Sequence, residues 1–446
     1  MAEITMFPFD SSYLPKSERD TLKILEKVGE QVHKIWEKQV NPKTGAVSFY
    51  PDDLSREELM VAAKKNAKLL SPYTVVKRDK NRHLHAVNYR EEYKKEHDRI
   101  CELLTLATKT TKEKRLSWYL GRVSSQLDKG DFDGALKTFL TIQNTNIDVL
   151  IGPIESYNDS FMGIKRSYQY SLRVLRNYET QEVEEMTKIV GKLGILKPSK
   201  SVAAKLKSDK IKIRVDDVLM FAGRQAGSRP SSTNLPNNPE WVEKYGTKIV
   251  VYHNSLFWKF ETQLKQYLKT VKKFDANRTK EAMSQANYRL IVLHEIAEGV
   301  VKFRGMERRL GEYIDVIREL NADLFGVRSA KYHVLNGLIS LEQYNELLVA
   351  FLVFAINVCH KAKKEASIMV YARGFYLAFN YFVKSKAILL KNGFITIDFA
   401  KLSADIDVVS NIIVGLMENG NSDDARKLFE RWEDPTIVNK LPKVGK

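Results

Sequence analysis

Between Lys16 and Gln39 the apolar residues Leu22, Leu25, Val28, Val32 and Ile35 recur at the three- and four-residue spacing of one buried helical face. Asn41-Pro42 and Lys43-Thr44-Gly45 then break the pattern. Ser55 followed by Glu58 reads as a capping box opening a second helix. Residues 73–76 and 84–87 are short enough and β-branched enough to predict strands, and helical spacing returns over 91–127 and from Phe132 to Thr141. The run 147–151 is β-branched and closed by Gly152-Pro153, which predicts a strand leading into a loop. Further strands are predicted at 211–215, 218–222 and 248–252. Residues 222–239, rich in Gly, Ser, Asn and Pro, read as an ordered functional loop, too polar for a core and too long for a turn. From Phe257 onward the pattern is almost wholly helical. The fold class expected is mainly α with a smaller β-containing part, an α+β arrangement.

Composition narrows the class. A chain of 446 residues exceeds one ordinary core and implies two lobes. With 43% apolar and 28% charged residues it is globular, not disordered. Residues 1–13 carry acidic groups and no continuous apolar stretch, so no signal peptide is expected there. The longest apolar run, 347–359, is broken only by Asn357 and reads as a buried helix, too short to span a bilayer. Cys101 and Cys359 stand far apart, which fits unpaired thiols and a cytoplasmic location. The net charge of +17 is spread along the chain, for example over 197–212, 259–273 and 361–364. No nucleic-acid-binding module accompanies it, so neither a specific nucleic acid nor a membrane is expected as partner.

The sharpest chemical feature lies in Ile291-Val292-Leu293-His294-Glu295-Ile296-Ala297-Glu298-Gly299. His294 and Glu298, four apart, share a helical face, with Glu295 beside them. Burying an imidazole with two carboxylates is costly unless a cation compensates. On a second helix, expected over 312–327, Asp315, Glu319 and Asp323 recur every four residues. Glu319 could complete a metal site with His294 and Glu298. Asp323 would hydrogen-bond behind it, and Glu295 would be the general base that activates water. An acidic stripe is more often a solvated helix face, and the sequence has Glu298 where a complete His-Glu-x-x-His zinc motif has its second His.

Four segments, in this order, add to that reading. They are Gly152-Pro153-Ile154-Glu155-Ser156-Tyr157-Asn158-Asp159, Asn234-Leu235-Pro236-Asn237, His294-Glu295, and Arg318-Glu319-Leu320-Asn321-Ala322-Asp323. Together they resemble the signatures of the dipeptidyl-peptidase III family, two-lobed zinc metallopeptidases, and in particular its shorter bacterial-type members. The resemblance implies a central cleft between a mixed α/β lobe (1–175 plus 208–258) and a helical metal-binding lobe (176–207 plus 259–446). It implies that Glu155, Asn234 and Asn237 hold the free amino end of a peptide, that Tyr157 bonds the developing oxyanion, and that Arg373 contacts substrate.

Three positions depart from the family pattern. Glu298 stands for the second His, Arg318 for the first acidic residue of the later motif, and Met369 near a further His expected before Ala372-Arg373. A His-Glu-Glu set could still hold one divalent ion, zinc by resemblance. Its added negative charge would raise the pKa of water at the metal and favour manganese or iron. The activity implied is release of dipeptides from the N-terminus of short peptides by a monomer or homodimer. The alternatives are a catalytically impaired relative that binds peptides or another partner, and a metalloenzyme of another reaction class on the same scaffold.

Overall fold

The computed structural model describes residues 3–40, 48–192, 211–274, 278–301, 303, 305–365 and 368–442. The turn expected at Asn41–Gly45, and most of the lysine-rich stretch 197–212, lie outside them. The chain divides into two compact units: 1–177 with 215–231 and 252–255, and 178–214 with 232–251 and 256–446. The architecture is mainly helical with a smaller β part.

In the first unit, helix Lys16–Gln39 buries Leu22, Leu25, Val28, Val32 and Ile35, the face its spacing predicts. Ser55 accepts the Glu58 amide at 3.0 Å and opens helix Arg56–Lys65. The helical stretch expected over 91–127 is two helices, Lys94–Thr110 and Lys114–Asp128. They part at Thr111, whose hydroxyl turns away to bond Glu18 at 2.9 Å. An antiparallel sheet of Ile147–Glu155, Ser167–Leu175 and Ile211–Gly223 forms the floor of this unit, and Thr5–Met6 pairs with the last of these strands. Gly152-Pro153 does not end the first strand, which continues to Glu155. That strand is the sheet's edge, so the missing proline N–H costs no ladder bond. The two strands expected at 211–215 and 218–222 are one. Asp216 and Asp217 interrupt the apolar pattern but are held in place by Arg173 at 3.4 Å and Arg176 at 2.8 Å.

The second unit contains strand Ser232–Leu235, strand Thr247–Tyr252 up to Val251, and a bundle of long helices. The stretch 222–239 is thus not all loop, since it includes helix Arg224–Ser228 and strand Ser232–Leu235. Within the bundle, helix Leu341–Ala362 passes the length and hydropathy test for a membrane span, but 67% of the qualifying window is buried inside the protein. Leu347, Leu348, Val349, Leu352 and Val353 are wholly enclosed there, as expected of a core helix. A short hairpin, Ile388–Lys391 with Phe394–Ile397, interrupts the helical C-terminal region.

Candidate metal centre

Two helices of the second unit build the site. Helix Lys280–Val300 starts on Thr279, whose side chain accepts the Ala282 amide, and buries Val292, Leu293, Ile296 and Ala297. His294, Glu295 and Glu298 flank this apolar face and are half-buried. Helix Ile314–Leu335 crosses it with backbones nearly touching: a Cβ on Gly326 would lie 2.9 Å from the Leu293 carbonyl carbon and oxygen. Glu319 and Asp323 lie seven and three residues before Gly326, on the same face, so the crossing carries them to His294.

The geometry there is specific. His294 Nδ1 lies 2.8 Å from Asp323 Oδ1, and its Nε2 lies 3.6 Å from Glu319 Oε2. Ligand atoms of His294, Glu298 and Glu319 are all within 4.8 Å of one another. An imidazole anchored through one nitrogen to a buried carboxylate presents the other as a lone-pair donor, the usual bracing of a metal-ligating histidine. The donor set therefore fits a divalent cation.

The electrostatics agree. Burial, with Glu298 and Asp323 adding to it, pushes Glu319 up to about 7 against the opposing charges of His294 and Arg318. Burial would lower the His294 pKa, but the charge and hydrogen bond of Asp323, reinforced by Glu298 and Glu295, hold it well above the usual histidine range. A Glu319 carboxyl that holds its proton more tightly than usual and an imidazole that attracts one mark a place short of positive charge.

Around this centre the second unit positions further groups. The Ser232 hydroxyl donates to Glu295 Oε1 at 2.5 Å. The Thr247 hydroxyl donates to Asn234 Oδ1 at 2.5 Å, and Asn237 is exposed just beyond. Arg318 Nη2 lies 3.8 Å from Glu298 Oε1 and Nη1 lies 3.8 Å from Asp315. The expected carboxylate stripe is graded: Asp315 is solvated, Glu319 half-buried and Asp323 enclosed. Arg373 is committed elsewhere. It forms a two-pronged pair with Glu433 at 2.7 and 2.9 Å and lies over the Tyr313 and Phe429 rings. A substrate carboxylate would have to compete with Glu433 for it.

Tyr371 was not expected at the site. Burial first, then Glu319, Glu298, Asp323 and Glu295, raise its pKa, so its hydroxyl senses the whole acidic group. In sequence it sits in an aromatic-rich helix, Met369–Ser385, where a tyrosine reads as core. Ser232 opens a strand within the stretch 222–239, whose polar composition reads as a loop.

Glu155 and Tyr157 belong to the first unit. Glu155 ends the edge strand opposite Ser167 and is half-buried. Tyr157 is 72% exposed, its ring braced by the Arg224 guanidinium at 5.1 Å, while Arg224 Nε bonds Asn158 Oδ1 at 2.7 Å. Asp159, the last residue of that motif, organises the loop. Its carboxylate accepts the amides of Phe161, Met162, Ile164 and Lys165 and the Tyr50 hydroxyl, at 2.8–3.1 Å.

No family model matches the chain. It is 21% identical over 366 residues to Nudix hydrolase 3 of Arabidopsis thaliana, a match covering 79% of this chain and 46% of that protein, so it spans about half of that relative's length. Among solved structures it is similar to DPP III from Caldithrix abyssi, with TM-score 0.83, 19% identity and coverage of 98% of this chain and 95% of that one. It is also similar to dipeptidyl-peptidase III from Corallococcus sp. strain EGB, with TM-score 0.74, 18% identity and coverage of 98% and 93%. The fold is that of the dipeptidyl-peptidase III structures.

Proposed function

We propose that the chain is a metal-dependent, exopeptidase-like hydrolase that releases dipeptides from the amino end of short peptides. The observation that carries this reading is the convergence of His294, Glu298 and Glu319 within 4.8 Å, with His294 braced by Asp323 and Glu295 one residue away. His294 Nε2 and the carboxylates of Glu298 and Glu319 would hold the ion, which supplies electrophilic activation of the peptide carbonyl and of water. Zinc follows from the likeness to dipeptidyl-peptidase III, whereas two oxygen donors beside one nitrogen suit manganese or iron as well. Glu295 takes a proton from the attacking water as its oxygen bonds to the carbonyl carbon, then gives that proton to the nitrogen as the C–N bond breaks. Asn234 and Asn237 are assigned to the peptide main chain, Glu155 to its ammonium and Tyr157 to the developing oxyanion.

The test is metal content of the purified protein with Glu319→Ala as control, followed by hydrolysis of dipeptidyl-naphthylamides. Near-stoichiometric metal lost in the control supports the reading, and no metal after reconstitution with zinc or manganese ends it. The proximity of Arg318 to Glu298 favours a second reading, a catalytically impaired binder, because the guanidinium competes for a ligand carboxylate. Glu298→His separates the two: a gain of tenfold or more in kcat/KM, about 1.4 kcal/mol, marks a peptidase with a weakened metal site. Unchanged inactivity marks the binder.

A further inference from the structure

The helix that carries the centre has a second functional side. His294 and Glu298 face helix Ile314–Leu335, while Glu295 and Gly299, also four apart, lie one residue further round. On that side the hairpin Ser232–Leu235/Thr247–Tyr252 sits directly on the helix. A Cβ on Gly299 would lie 3.0 Å from Ile249 Cδ1 and 3.4 Å from Thr247 Cγ2, so the missing side chain is what allows this approach. Asn234 pairs with Ile249 and Ser232 with Val251, and alternation along the strand puts Ser232 and Asn234 on one face. Ser232 reaches Glu295 with a hydrogen bond of 2.5 Å, and the charge on the carboxylate strengthens it.

We infer that Ser232 is a positioning residue for Glu295, and that the hairpin seated on Gly299 holds the proton-transferring carboxylate in one rotamer. A glutamate has three rotatable bonds, and proton transfer tolerates little displacement of its carboxylate. The hydroxyl fixes that orientation from outside the metal-binding set. The same strand then carries, two residues on, the amide assigned to the peptide main chain, so one rigid element registers substrate and base together. This rests on the role proposed above for Glu295.

The experiment compares wild type, Ser232→Ala and Ser232→Thr in the metal-reconstituted full chain, reading kcat and KM on a dipeptidyl-naphthylamide, metal content, Tm and the crystal structure of each. Ser232→Ala is expected to lower kcat by roughly ten- to a hundredfold while KM, metal content and Tm hold. Ser232→Thr, which keeps the hydroxyl, is expected to recover most of the loss. An unchanged kcat, or a loss that tracks metal content or Tm and that threonine does not restore, overturns the inference. If wild type hydrolyses nothing, the hydrolase reading fails and the crystal structures decide. A Glu295 carboxylate displaced in Ser232→Ala but not in Ser232→Thr sustains the positioning role, and one that stays put in both overturns it.

Discussion

Each unit of the molecule encloses a group of charges, and the two groups are finished differently. In the first unit Arg173 is wholly buried, 2.9 Å from Asp148 and 3.4 Å from Asp216, with Ser171 and the Tyr252 hydroxyl on its Nη1. The rings of Phe139 and Tyr252 flank its guanidinium. That group brings its own cation, and folding completes it. In the second unit Glu298, Glu319, Asp323 and Glu295 gather round His294, and the guanidinium of Arg318 stands at the edge, 3.8 Å from Glu298. Crowding several carboxylates round one imidazole at a half-buried place costs stability unless a cation compensates. The comparison separates a charge cluster completed within the fold from one whose crowded carboxylates suit the divalent ion proposed above.

The largest effect expected breaks the first cluster. Arg173→Ala removes the guanidinium that neutralises the buried carboxylates of Asp148 and Asp216 and should cost about 3–5 kcal/mol in urea unfolding. Next in size is a contrast between two histidines. Burial first, and then Arg90, holds His97 down to about 3 in the first unit, where its Nε2 lies 2.6 Å from the Tyr168 hydroxyl. Folded His97 stays neutral while the unfolded chain takes up a proton below about 6.5, so stability falls as pH drops from about 6.5 towards 3. Urea unfolding at pH 7 and pH 5 should show a loss on the order of 1–2 kcal/mol, reduced in His97→Gln.

Smaller effects sharpen the second cluster. Glu319→Gln should abolish metal uptake yet stabilise the metal-free protein by about 1 kcal/mol at pH 8, because one crowded carboxylate is gone. The same variant compared in the presence of metal should reverse the order. The smallest is Arg318→Gln, expected to tighten metal binding several-fold by freeing Glu298, as read by competition with a chromophoric chelator. Weaker binding in that variant would make Arg318 a support for the site and not a competitor.

Much of this was legible along the chain, and the exceptions have physical causes. Helices Lys16–Gln39 and Phe132–Thr141 follow from amphipathic spacing, which survives folding because each buries one face. The grouping of His294, Glu298 and Glu319 followed from two helical spacings four residues long. What local pattern could not supply was the partner of each charge. Asp216 and Asp217 looked like a break between strands because Arg173 and Arg176 are distant in sequence. Ser232 looked like loop polarity because Glu295, its acceptor, lies 63 residues away. Arg373 gave no sign of its pairing with Glu433. The hairpin after Ile388 did carry a signal, Asn392-Gly393 between apolar residues, that the surrounding helical periodicity obscured.

Helices Lys280–Val300 and Ile314–Leu335 meet main chain to main chain at Leu293 and Gly326, which sets the spacing of His294 and Glu319 before any ion arrives. Loading the proposed ion onto that pair would then not require these two helices to slide. The slow step would then be the stripping of water from the ion itself. In stopped-flow mixing, magnesium, which dehydrates reluctantly, should lag behind zinc or calcium by the ratio of their water-exchange rates, whatever their final affinities.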